Sequence, residues 1–220
     1  MATATALTSV TLLLSSQTAE AQSASSYIEK GIEEGKRGDL KGAIVDFTRA
    51  IEIDPQNARS YYNRGYARGN LGDYEGAFID YTRAIKFNPQ HVGAYNNRGL
   101  IKDEQLGDSK GAIDDYSQAI EIDPRHIDLY INRGAAKSGL GDYEGAIDDY
   151  SNVINIDPQH SFAYLARGDA KLKSENHQGA CFDFKKAVSL GNQPTAQWLN
   201  SEAGSWCRNM RQGHRKIALH

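Results

Sequence analysis

The chain has 220 residues, 24% of them charged and 40% hydrophobic, with a formal net charge of −3. That balance excludes nucleic acid as the default partner and fits a folded chain rather than a disordered one. Two cysteines, Cys181 and Cys207, are too few for a disulfide framework or a zinc cluster, and no run of about 18 to 20 apolar residues exists to span a membrane as a helix.

Residues 1–23 differ in kind from the rest. Glu20 is the only charged side chain between Met1 and Ser26, where Ala, Thr, Ser and Leu dominate. The mildly apolar run from Ala4 to Leu14, followed by the small-x-small site Ala19-Glu20-Ala21, predicts a signal peptide cut after Ala21 and a periplasmic or secreted protein. A low-complexity disordered tail on a cytoplasmic protein is the alternative.

From residue 24 a repeat takes over. Asp54-Pro55, Asn88-Pro89, Asp123-Pro124 and Asp157-Pro158 recur at spacings of 34, 35 and 34 residues. Aligned on these prolines, five units run 24–57, 58–91, 92–126, 127–160 and 161–194. Each splits into two predicted helices, A and B. Helix A closes at a glycine in Arg37-Gly38-Asp39, Leu71-Gly72-Asp73, Leu106-Gly107-Asp108 and Leu140-Gly141-Asp142. Glycine there can take the left-handed conformation that ends a helix, and the Asp after it can cap the next one. Helix B carries Ala43, Ile44, Phe47, Ala50 and Ile51 in the first unit and Ala77, Phe78, Tyr81, Ala84 and Ile85 in the second, one apolar stripe at helical offsets. Proline then blocks continuation. A unit this short cannot bury its apolar face alone, so the units must stack. The third has one extra residue between Gly99 and Gly107, which should extend or bulge the end of its helix A, and the fifth replaces Gly-Asp with Glu175-Asn176 and delays its proline to Pro194. Residues 195–210, with Trp198, Leu199, Ala203, Trp206 and Met210, predict a capping helix over the exposed last unit. Residues 211–220 form a basic, solvated tail.

This pattern resembles the tetratricopeptide repeat (TPR), in the Asn-Arg-Gly wording of that repeat, over about residues 24–194. The family's aromatic at position 4 is Tyr27, Tyr61, Tyr95, Tyr130 and Tyr164 here, and its small residue at position 8 is Gly31, Gly65, Gly99, Gly134 and Gly168. Position 20 is Ala43, Ala77, Ala112, Ala146 and Ala180, and the aromatic at 24 is Phe47, Tyr81, Tyr116, Tyr150 and Phe184. The resemblance implies an all-α, right-handed superhelical solenoid of five helix-turn-helix units plus a C-terminal capping helix.

Several recurring polar residues have structural explanations. Lys30, Arg64, Arg98, Arg133 and Arg167 recur with Asp46, Asp80, Asp115, Asp149 and Asp183, which suggests a ladder of ion pairs between helices; an anion track is the competing role. His91, His126 and His160 fall one per repeat in the turns, too far apart to share a metal. Cys181 takes a core position, and in an exported protein a disulfide to Cys207 would pin the cap to the fifth unit. No glycine-rich phosphate loop and no nucleophile with a base and carboxylate is present, so neither an enzyme nor a cofactor is expected.

In the family, the concave groove is lined by helix A. The corresponding residues are Tyr62, Asn63 and Tyr66, then Asn96, Asn97 and Leu100, then Ile131, Asn132 and Ala135, then Phe162, Leu165 and Asp169. Asn63, Asn97 and Asn132 share position 6, and a column of carboxamides can hold the backbone of an extended peptide while its neighbours take apolar side chains. This is similar to the asparagine ladder of the TPR region of O-GlcNAc transferase. The basic clamp of chaperone-tail-binding relatives is absent, since Gly93 and Asn97, or Asp128 and Asn132, stand where Lys and Arg are needed. The expectation is a non-catalytic module that binds a protein or extended peptide in the groove. The alternative is an assembly adaptor acting through its convex face or by self-association. Neither partner nor oligomeric state follows from the sequence.

Overall fold

The computed structural model of the chain describes residues 23–209, which carry twelve helices and no strand. The leader expected over residues 1–23 therefore lies outside the described residues except for its last position, and the basic tail lies wholly outside them. Packing divides the chain into two bodies, meeting between Ile122 and Asp123. The first holds α1 (residues 23–36), α2 (Leu40–Ile53), α3 (Ala58–Asn70), α4 (Tyr74–Phe87), α5 (Val92–Glu104) and α6 (Ser109–Ile122). The second holds α7 (Ile127–Gly139), α8 (Tyr143–Ile156), α9 (Ser161–Lys173), α10 (His177–Ser189), α11 (Gln193–Asn200) and α12 (Ser205–Asn209). Within each body, consecutive helices pack on one another.

The helix boundaries follow local chemistry. Gly38, Gly72, Gly107 and Gly141 all sit at positive φ, between 66° and 85°, which closes the preceding helix. The carboxylates of Asp39, Asp73, Asp108 and Asp142 then accept the amides of Gly42, Gly76, Gly111 and Gly145 at 2.9 to 3.0 Å. The fifth repeat keeps the same turn without the glycine. Glu175 takes φ 65°, a left-handed conformation costing an ordinary residue about 1–2 kcal/mol, and Asn176 caps Gly179 at 2.9 Å. Two of the three recurring histidines cap a helix with the side chain, and His126 sits at the N-cap of α7 without such a bond. Nδ1 of His91 accepts the amide of Ala94, and Nδ1 of His160 that of Ala163, each at 3.2 Å.

The extra residue of the third repeat goes into the turn. Helix α5 is 13 residues long, as α3 is. Gln105 and Leu106 both donate to the carbonyl of Ile101, at 3.0 and 3.2 Å, so the chain bulges there and leaves the Leu106 side chain exposed.

Between the two helices of a repeat, close approach depends on absent side chains. A Cβ at Gly31, Gly99 or Gly168 would meet the ring of Phe47, Tyr116 or Phe184 at 2.7 Å, closer than packed carbon atoms come. The same contacts explain why the alanines of helix B are wholly buried. Beside this apolar seam runs the charge ladder, and it pairs. Arg64 makes a two-pronged contact with Asp80 at 2.8 and 2.9 Å. Arg98 does so with Asp115 at 2.7 and 2.8 Å, Arg133 with Asp149 at 2.6 and 3.0 Å, and Arg167 with Asp183 at 2.8 Å twice. Each Asp also receives a second cation four residues on: Arg68, Lys102, Lys137 and Lys171, at 2.8 to 3.0 Å. In the first repeat Lys30 reaches Asp46 at 2.7 Å, and Arg49 assists at 3.3 Å. The arginines reach across repeats too. Arg64 donates to the Thr48 hydroxyl at 3.1 Å, Arg98 to Thr82 at 3.3 Å and Arg167 to Ser151 at 3.0 Å.

The cap differs from a single helix over 195–210. Ser201 turns extended and ends α11, and the chain doubles back through Gly204. A Cβ added at Gly204 would lie 2.6 Å from Leu199 Cα and closer still to the Trp198 carbonyl oxygen, so there is no room for a side chain. That reversal brings Cys207 onto α10, where it is bonded to Cys181 and wholly buried. Trp198 meets Phe184 edge-on at 5.0 Å and Trp206 at 6.2 Å.

Candidate partner-binding site

In the first body, α3 presents Tyr62, Asn63 and Tyr66, while α5 presents Asn96, Asn97 and Leu100. Gly31 and Gly35 leave the adjoining surface of α1 bare, and a cavity of about 400 Å³ opens there. Its walls are Ile32, Leu40, Phe47, Tyr62 and Tyr66, with Lys36 the only charged residue lining it. Asn63 also lines it, and its Nδ2 is a buried donor with no hydrogen-bond partner. An unpaired buried donor costs about 1–3 kcal/mol, so this atom is an unmet demand for an acceptor.

A second cavity of about 180 Å³ lies on the other side of Tyr66, lined by Tyr74, Tyr81, Asn97, Leu100 and Glu104 among others. Asn97 is already engaged. Its Nδ2 donates to the Tyr81 hydroxyl at 3.3 Å and its Oδ1 accepts from Asn96 at 3.2 Å. Equivalent positions in the repeat thus do different jobs: Asn63 has a spare donor and Asn97 braces a tyrosine. Burial raises the phenol pKa of Tyr62 and Tyr81, with Asn97 partly opposing it, so both stay neutral donors. Tyr62 is fixed by His91 at 4.4 Å and Tyr81 at 5.8 Å between ring centres. Burial lowers the pKa of His91, which keeps the ring neutral and able to accept its cap hydrogen bond.

The remaining expected residues belong to the second body. Ile131 and Asn132 are half-buried on α7. Leu165, on α9, lines a cavity of about 230 Å³ with Asp169, Phe184, Pro194, Thr195 and Trp198. The structure thus gathers Tyr62, Asn63 and Tyr66 at one cavity, and Tyr66, Asn97 and Leu100 at the next. Sequence reasoning missed the contribution of Ile32, Leu40 and Phe47, although the bare pair Gly31 and Gly35 signals it. Among the described residues, no group of three or more His, Cys, Asp and Glu could hold a metal ion, and no helix is long and apolar enough to cross a membrane.

A repeated helix pair with this surface defines a class of interaction scaffold. Sequence profiles described as TPR repeat match residues 34–72 and 104–141, and others described as tetratricopeptide repeat match 58–91 and 127–160. The chain belongs to the tetratricopeptide repeat family, and its fold is the all-α solenoid of that family, a class of protein-interaction module. No curated protein sequence matches it. Among solved structures, it is similar to a crystal structure of MamA at 23% identity and TM-score 0.70, covering 76% of this chain and 96% of that one. The MamA segment 41-end from Desulfovibrio magneticus RS-1 is 21% identical with TM-score 0.70, covering 81% and 98%. YrrB, described as a TPR protein with an unusual peptide-binding site, is 20% identical with TM-score 0.70, covering 78% and 88%. At these identities the likeness concerns the fold.

Proposed function

We propose that this protein is a non-catalytic interaction module that holds an extended segment of a protein partner against α1, α3 and α5. The observation that carries this is the unpaired Nδ2 of Asn63, at a largely apolar cavity whose one charged lining residue is Lys36. A peptide carbonyl would satisfy the donor while an aliphatic or aromatic side chain fills the space beside Phe47 and Tyr62. Tyr66, 54% exposed, separates this cavity from the second and offers the partner an aromatic surface. The peptide-binding site named for YrrB supports the reading by analogy of fold.

The test uses peptides selected from a random display library against the full chain and measured by fluorescence anisotropy. The expected peptides share one bulky apolar residue, and Asn63→Ala and Tyr66→Asp each weaken them about tenfold, the cost of one lost charge-free hydrogen bond or aromatic contact. Undiminished binding by both variants, with helical circular dichroism intact, moves the site elsewhere.

We also infer that the protein is exported. The Cys181–Cys207 disulfide supports this, because such bonds persist in oxidising compartments, as does the leader-like composition before Ala21. Cell fractionation with N-terminal sequencing of the mature chain tests it; an intact N-terminus in the cytosolic fraction overturns it.

A further inference from the structure

The cavity between α9, α10 and α11 has a composition unlike the two in the first body. Its floor and walls are Leu165, Phe184, Pro194 and Trp198, and its one charged residue is Asp169. Position 9 of the repeat is apolar elsewhere: Ile32, Tyr66, Leu100 and Ala135. The carboxylate is thus peculiar to the fifth repeat and not a legacy of duplication. Asp169 makes no ion pair within 4.0 Å among the described residues, in contrast to Asp183 nearby in sequence, which holds both Arg167 and Lys171. Lys173, one turn beyond Asp169, has its ammonium over the ring of Tyr143 at 5.8 Å and acts on the Asp169 charge from beyond ion-pair distance.

The same cavity is lined by an indole that is held in place. Trp198 is braced edge-on by Phe184 at 5.0 Å and by Trp206 at 6.2 Å, and the Cys181–Cys207 bond ties α12 to α10 behind them. A carboxylate and an aromatic ring that line one small, largely apolar cavity are together complementary to an alkylammonium group, whose charge is attracted to both while its carbon stem covers Leu165 and Pro194.

We propose that this cavity binds an alkylammonium group, with Asp169 as counter-ion and Trp198 as the aromatic wall. The site shares no residue with the cavities of the first body, so it stands whether or not the peptide site there does. The group is either a lysine side chain of a protein or a free quaternary amine, and the two sources separate by experiment.

The chain has two tryptophans, so two indole N–H signals in a proton–nitrogen NMR spectrum report the site, with Trp198→Phe assigning them. The full, oxidised chain is titrated with N-acetyl-lysine methylamide, with its neutral ε-acetylated analogue and with choline. The lysine mimic should shift the Trp198 signal saturably in the millimolar range, and the neutral analogue should not. Asp169→Asn should weaken the response about fivefold, as expected for one partly solvated ion pair; Asp169 is exposed, so this variant should keep the wild-type spectrum otherwise. Tighter binding of choline than of the lysine mimic assigns the free amine as the source, and the reverse assigns a protein side chain. No saturable shift with either cation overturns the proposal, as does an equal shift from the neutral analogue or in Asp169→Asn.

Discussion

Asp80 carries more of the fold than any groove residue. It is wholly buried and faces two guanidinium groups, Arg64 at 2.8 Å and Arg68 at 2.8 Å, of which Arg64 is only 8% exposed. Asp80→Ala strands both charges, and removing one partner from a buried pair costs about 3–5 kcal/mol. The urea midpoint should fall accordingly, whereas Lys30→Met, at the exposed start of the ladder, should shift it far less. His91 sets a pH dependence. Its folded pKa is lowered by burial, while the unfolded value is about 6.5. The unfolded chain therefore binds more protons between those values. His91's contribution is complete above about pH 6.5 and is lost as pH falls towards the lower folded value. Thermal melts at pH 7.5 and 5 should show that loss, and His91→Asn, which restores the cap used at Asn57, should reduce it. The principal ion pairs were legible in the sequence because arginine and aspartate recur in register. Their second cations were not, since a basic residue four places after another reads as solvated helix surface.

At the scale of elements, glycine, aspartate and proline marked every turn of the first four repeats. The fifth keeps its turn through Glu175, which takes the positive φ, and Asn176, which caps α10. The cap covers the fifth repeat as two short helices instead of one. Trp198, Leu199 and Trp206 fit one helical stripe, but the chain reverses at Gly204 and brings Trp206 edge-on to Trp198. The disulfide spans 26 residues, and for a loop of that size its loss costs about 3.5 kcal/mol in the chain-entropy account. Cys181→Ser with Cys207→Ser should therefore undock the cap at a lower urea concentration than the rest of the chain unfolds. Tryptophan emission should shift red at that first step while helical circular dichroism stays nearly constant. A single transition shared by both signals would mean that the apolar contacts of Trp198 and Trp206 suffice.

For the whole molecule, the period alone disclosed the fold, since units of 34 residues must share a core with their neighbours. The binding surface was only partly disclosed. Counting along helix A found Tyr62, Asn63 and Tyr66, but a cavity depends on what the facing helices leave empty. Nothing in a one-dimensional count shows that Asn97 is bound to Tyr81 while Asn63 is not, or that Asp169 shares a cavity with Trp198. Those differences arise where identical wording meets different neighbours.

The hydroxyls of Thr48, Thr82 and Ser151 have one more consequence. Each sits on the second helix of its repeat and receives the arginine of the repeat that follows, while that arginine finds its aspartate 16 or 17 residues further along its own repeat. A copied repeat consequently arrives electrically complete and brings a socket for whatever is joined next. Lengthening such a chain by tandem duplication requires no fresh charge to be invented at the seam, so gene duplication can extend this architecture in steps that each fold at birth.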